Sequence, residues 1–184
     1  MKELGEFIAK LESVIKELPI EAENIAVEMA LNQKGYVVRR IQSEGIPGES
    51  YSEKGVPAYL YSNDKWSNSY ARKNSGFDRM IKNKKKSGEL VSWKDVREAN
   101  GHQTNFVDFT FTGRTFQNLK VVSIERSGFV AKAYLGSDNP EVSQRLFYGF
   151  KLYGDFLYPN EDEKRFLNGI ANKMLDKVFE KIKL

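Results

Sequence analysis

The sequence contains no cysteine. Disulfides, thiolate metal sites and thiol nucleophiles are thereby excluded, and a reducing cytosol, or a particle assembled in one, suits the chain. There is one histidine, His102, read as a loop residue, whereas imidazole metal sites usually require more than a lone imidazole. No HExxH, GxSxG or phosphate-loop pattern occurs. No apolar run approaches the roughly 20 residues that cross a bilayer, so no membrane partner is expected. The opening MKELGEFIAKLESV is amphipathic and carries acids, unlike the continuous apolar core of a secretory signal. Acids are scarce in one place: between Lys65 and Lys86 the only one is Asp78.

What is present fits a packed globule. The chain has 184 residues, 40% apolar and 12% aromatic, enough to bury a core and to form one domain, or one domain with a long extension. The formal net charge of +4 is mild, but its distribution is uneven. Lys65, Arg72, Lys73, Arg79, Lys82, Lys84, Lys85 and Lys86 crowd the middle third.

Hydrophobic periodicity predicts helix from residue 3 to 44. Leu4, Phe7, Ile8, Leu11, Val14, Ile15 and Leu18 recur at three- and four-residue steps, then Ala22, Ile25, Ala26, Met29 and Tyr36. Pro19 lies between the two sets and implies one kinked helix or two in tandem. EGIPG, residues 44–48, ends the helix. From about 45 to 103 no period persists, and the reading is an extended arm that needs a neighbour to order it. Two short helices are expected within it, in NSGFDRMIKNKKK and in SWKDVREAN, with Ser92 as N-cap and Gly101 as terminator. Alternation over residues 106–111 predicts a strand, and residues 119–136 a hairpin turning at Gly128. Asn139 and Pro140 open one helix. Asn160 and Glu163 form the capping box of the last, whose expected buried stripe is Phe166, Leu167, Ile170, Met174, Leu175, Val178, Phe179 and Ile182. The fold class is α+β: a long kinked N-terminal helix, a small antiparallel sheet with a hairpin, a C-terminal helix and a long irregular arm, in one domain over 1–184.

No residue pattern carries catalysis. Glu161, Asp162 and Glu163 sit where a helix start favours acids. Asp108, in an apolar strand, is a carboxylate a nuclease reading could use together with Glu125 and Lys120 of the next strand, a combination common on hairpins, and a nuclease would also want a phosphate pocket. No catalytic residue, cofactor or metal site is assigned. The basic segment 65–86, with Tyr70, Phe77 and Trp93 nearby, suits charge and stacking contacts with nucleic acid; Arg72, Lys73, Arg79, Lys82, Lys84, Lys85 and Lys86 are the candidates for touching DNA or a partner. A non-specific nucleic-acid-binding protein is thus the alternative function.

In order, three stretches resemble the tail-completion (neck) proteins of tailed bacteriophages, also called minor tail or virion-morphogenesis proteins. The long first helix is one. The second is TGRTFQNLKV, in which Thr112 and Gly113 match a TGxLxxSI-like motif, Phe116 takes the apolar position and Asn118 stands where serine is usual. The third is FLYPNEDEKRFLNGIANKML, in which Phe156, Leu157 and Pro159 precede the last helix. The segment 39–62 is similar to versions from phages with podovirus-like architecture, crAss-like ones included. This resemblance implies a structural virion protein, not an enzyme. It would form a homo-oligomeric ring, twelvefold or sixfold, at the head–tail interface, between portal or adaptor and tail, after assembly in the host cytoplasm. Packaged DNA is a further candidate contact. Tyr51, Tyr59, Tyr61, Trp66 and Tyr70 are then the expected subunit-interface residues of the arm.

Overall fold

The structure, a computed structural model, describes residues 2–62, 75–109 and 114–182. It is α+β, with antiparallel strands only. The chain divides into two compact units, residues 1–40 with 114–184, and residues 41–113.

The first unit is built on α1 (Lys2–Glu44), which contributes to it as far as Arg40. The helix runs uninterrupted through Pro19, so one helix replaces the alternative of two in tandem. Its buried residues in this unit fall on two sides, Val14 and Ile25 eleven residues apart on one and Ala30 and Val37 seven apart on another. The other helices of this unit are the single turn α4 (Arg114–Gln117), α5 (Pro140–Tyr153) and α6 (Glu161–Glu180). Asn139 caps α5 with Pro140 in the first turn, and Asn160 and Glu163 make a reciprocal capping box on α6. Leu119, Val142, Leu146, Leu167 and Val178 are buried. The stripe expected on α6 is narrower than its sequence suggests. Phe166 is 60% and Phe179 47% exposed. The Phe166 ring instead stacks on Tyr36, centroids 5.6 Å apart.

β3 (Lys120–Ser127) and β4 (Val130–Gly136) form the expected hairpin. Ser127 pairs with Val130, leaving Gly128 and Phe129 as a two-residue turn. Gly128 has φ 61°, the left-handed value that such a turn assigns to glycine.

The second unit takes the last turn of α1, β1 (Val56–Pro57), a 3-10 turn over Ala58–Ser62, α2 (Ser75–Ser87), β2 (Leu90–Val91) and α3 (Trp93–Ala99). β1 and β2 pair antiparallel, Val56 with Val91. Ala58, Phe77, Ile81, Val91 and Val96 form a small core, flanked by Tyr61, Met80 and Trp93. Both short helices stand where the sequence places them, with Ser92 and Asp95 completing a capping box on α3 and Gly101 at φ 74°. The expectation of an irregular arm over 45–103 is therefore corrected for its described residues. They bury their own apolar side chains, which lie too far apart in sequence to show a period.

The strand expected over residues 106–111 is also corrected: residues 106–109 are irregular, and 110–111 lie outside the described residues. Among the described residues no strand pairs with 106–109. The Val107 carbonyl accepts from the Ile46 N–H at 3.1 Å, and Phe109 takes φ 54°, which β geometry forbids.

Gly45 ends α1 at φ 81°, its N–H donating to the Ile41 carbonyl at 3.0 Å. A Cβ there would lie 2.5 Å from Cβ of Phe106. Gly45→Ala combines left-handed strain with overlap against a ring, so it should lower stability by about 2–4 kcal/mol. Chemical denaturation of the purified variant measures this; an unchanged midpoint would show that the helix end is not held as described.

Candidate functional site

The candidate residues fall into three groups, and the structure treats each differently. The motif residues of the first unit are structural. Phe116, Phe156, Leu157 and Pro159 are buried, and the Phe156 ring lies 4.9 Å from that of Phe150. Residues 156–159 are tied to α1 through their backbone: the Leu157 carbonyl accepts from Gln33 Nε2 at 3.0 Å and the Tyr158 carbonyl from Arg40 Nη2 at 3.2 Å. Arg40 Nε also donates to Glu163 Oε1 at 2.9 Å. The FLYP segment is thus a strap that orients the last helix on the first. Thr112 and Gly113 lie outside the described residues.

Of the residues expected at a subunit interface, Tyr51 and Tyr61 are engaged within their own unit. Tyr51 is a correction: it is 7% exposed and belongs to the interior of its own unit. Its hydroxyl donates to Asp108 Oδ1 at 2.7 Å and accepts from the N–H groups of Asp108 and Phe109 at 3.0 and 3.2 Å. Burial and the Asp108 carboxylate push the phenol well above its ordinary value. Tyr61 packs edge-on against Phe77, and Tyr59 is exposed. Trp66 and Tyr70 lie outside the described residues.

Around Tyr51 is a polar cluster that sequence reasoning did not anticipate. Arg97 is 1% exposed and Asp108 3%. Arg97 Nη2 donates to both carboxylate oxygens of Asp108, at 2.9 and 3.2 Å, and Nε donates to the Gln103 carbonyl at 3.0 Å. The guanidinium lies 4.1 Å over the Tyr51 ring. Gln103 Nε2 donates to Asp108 Oδ2 at 2.7 Å and to the Phe106 carbonyl at 2.8 Å. Burial and the Arg97 charge hold the nearby His102 imidazole below its ordinary range. Asp108, the carboxylate a nuclease reading would use, is thus saturated by Tyr51, Arg97 and Gln103. Its suggested companions are engaged locally: Lys120 with Asp138 at 2.8 Å, and Glu125 with the Tyr134 hydroxyl at 2.9 Å. Among the described residues no group of three or more acids and histidines converges as metal ligands would.

The basic candidates also separate. Lys84 is spent inside its unit, donating to Asp95 at 2.8 Å and to the Leu90 carbonyl at 3.1 Å. Arg79, Lys82, Lys85 and Lys86 are exposed on α2. Arg72 and Lys73 lie outside the described residues.

The open surface of the first unit is apolar. No residue of β3 or β4 is buried, and among the described residues the hairpin pairs with no other strand. Val122, Ile124, Phe129, Val130 and Tyr134 are all exposed, Phe129 at 62%. Phe147, Tyr148, Phe150 and Leu152 are exposed on α5. An open apolar groove of about 390 Å³ runs beside Leu18, Ile25, Met29, Phe129, Val130 and Leu175.

The chain matches no protein-family model, no curated protein and no solved structure. Among the described residues no helix is long and apolar enough to cross a membrane.

Two outcomes follow from this chemistry. Asp108→Ala leaves the Arg97 guanidinium buried without its counter-charge and should cost about 3–5 kcal/mol, whereas replacing both by apolar residues, Arg97→Met with Asp108→Leu, should recover most of the loss. Denaturant melts of the single and double variants decide it; equal destabilisation by both would refute the pairing. The Asp95 carboxyl is the acid-sensitive group of α3. Burial alone would raise it, but the bonds from Lys84 and Ser92 outweigh burial and hold it below its ordinary value of 3.8. Its stabilisation is complete above 3.8 and fades as pH falls through the lower folded value. Asp95→Asn should therefore destabilise at neutral pH and flatten the acid limb of a stability–pH curve; a parallel curve would exclude Asp95 as the cause.

Proposed function

We propose that this chain is a structural subunit of a tailed-phage virion, a neck or tail-completion protein that joins portal or adaptor to tail as a homo-oligomeric ring. One observation carries the reading: a hairpin of eight- and seven-residue strands with no buried residue and no other strand of the described residues on either edge. Two strands alone are marginal in water, and open apolar edges invite another chain. Surface of this kind marks a protein–protein contact. A patch that meets a different patch on the next copy generates a ring when the rotation closes. The order of the motif segments supports the same assignment, as does their role here, since Phe116, Phe156, Leu157 and Pro159 shape the unit that bears the hairpin.

The site of action is accordingly the virion head–tail junction, after assembly in the host cytoplasm, and the work is mechanical rather than catalytic. The partner surface shifts from where the sequence placed it. The tyrosines of the second unit largely serve that unit, and the hairpin with α5 takes over as the interface.

Co-expressed with the products of the flanking genes, the chain should elute in a ring-sized assembly by size-exclusion chromatography with light scattering. Val122→Lys with Ile124→Lys should reduce the assembled fraction at least about tenfold while moving the melting temperature by under about 3 °C. Undiminished assembly of that variant would remove the hairpin from the interface, and a metabolic gene neighbourhood with no virion gene in it would remove the phage reading altogether.

A further inference from the structure

We propose that the exposed face of α2 is a docking surface for the phosphate backbone of duplex DNA, contacted by Arg79, Lys82, Lys85 and Lys86 without reading sequence. The helix carries five cations and one acid, Asp78, a surplus of four that equals the formal net charge of the whole chain, +4. Outside this helix the charges cancel. At 3.6 residues per turn, Arg79, Lys82, Asn83 and Lys86 share one side of the helix, and Lys85 flanks it.

What distinguishes these cations is their density, four exposed within two turns of one helix. On the first unit several exposed basic residues pair locally, Lys120 with Asp138, Arg126 with Glu23, Lys164 with Glu161 and Arg165 with Asp162, and others, Lys16, Lys151, Lys173 and Lys177, are spread over three helices. On α2 only Lys84 is paired. None of Arg79, Lys82, Lys85 and Lys86 forms an ion pair with the described residues. Four like charges within two turns repel one another, and a partner of opposite charge relieves that repulsion.

The rest of the helix narrows the partner. A basic amphipathic helix otherwise suits a membrane surface or a helix-binding groove. Here the apolar face is already used: Phe77 and Ile81, 1% and 8% exposed, are core residues of the unit. Neither lipid nor a hydrophobic groove can have it. A protein interface would be expected to centre on aromatic and apolar anchors rather than lysine, and the exposed side of α2 has none. A polyanion of high linear charge density remains. Arg79 and Lys86 are about 10 Å apart along the axis, a length over which duplex DNA presents about six phosphates. The phosphate chemistry stands independently; the choice of DNA as the duplex rests on the proposed connector, whose channel would pass it.

The test is fluorescence anisotropy of a mixed-sequence DNA duplex titrated with the isolated full chain from about 50 to 200 mM salt. Binding is expected at low salt, with log affinity falling linearly against log salt. The variant Arg79→Gln, Lys82→Gln, Lys85→Gln, Lys86→Gln should bind at least about tenfold more weakly, with a slope shallower by about 3. Its circular dichroism should be unchanged, because these side chains support nothing within the unit. A variant losing four exposed cations of the first unit, Lys16, Lys151, Lys173 and Lys177 to Gln, should bind as the unmodified chain does. Absence of duplex binding at low salt overturns the proposal, as does equal weakening by the two variants. Preferential binding to single strands, or to phosphatidylserine-containing vesicles, overturns it too. The titration needs no ring and the assembly experiment needs no DNA, so either reading can fail while the other stands.

Discussion

A guanidinium that is almost wholly shielded from water must be answered by its surroundings, and the second unit is organised by that demand. Arg97 reaches Asp108 with two bonds and Gln103 with a third, and it lies over the Tyr51 ring. Each partner comes from a different part of the segment, so one charge draws together α3, the loop after α1 and the irregular stretch at 106–109. Phe109 holds a left-handed φ beside it, and its N–H is met by the Tyr51 hydroxyl. A cluster whose members satisfy one another rigidifies a small unit that its few core residues would hold less well. Ala58, Phe77, Ile81, Val91 and Val96 are a thin core on their own.

That self-sufficiency decides where the need for a partner lies. Polar, aromatic-rich sequence between two folded parts suggests an arm completed by neighbours. With Tyr51, Gln103 and Asp108 joined in one cluster, the described part of that segment is held in part by its own residues. The unmet requirement passes to the first unit, where a hairpin with no buried residue stands beside exposed Phe147 and Leu152. Strand edges and apolar side chains left in water are satisfied most simply by another chain. The FLYP strap matters here because it sets the last helix on α1 through Arg40 and Gln33, which stiffens the body that carries the hairpin.

Much of this was legible in the residues. Caps located α3, α5 and α6, since Ser92, Asn139 and Asn160 act on their own next three residues. Gly128 located the hairpin turn for the same local reason. Gly45 closed α1 as a left-handed terminator. What was not legible depended on distance. β1 and β2 are two residues each and have no period to detect. Arg97 reads as an ordinary helical arginine until Asp108 and Tyr51 are placed beside it, 11 and 46 residues away in sequence. Phe166 and Phe179 keep helical spacing with Leu167 and Val178, yet only the latter pair is covered. Periodicity gives the width of an apolar stripe and not the width of what packs on it.

The two exposed surfaces differ in kind, and this is what lets them be assigned separately. The hairpin and α5 offer apolar area, whose association strengthens or holds as salt screens charge. The α2 face offers unpaired cations over a buried apolar side, so its attraction depends on counterion release and weakens steeply with salt. A subunit that must hold its neighbours firmly while letting a charged polymer slide past would need this division. Apolar contacts fix a geometry and release slowly, whereas phosphate contacts of lysine carry no sequence information and exchange readily. The sequence places them on different units, 41–113 and the remainder, so substitutions that disable one chemistry leave the fold that bears the other intact.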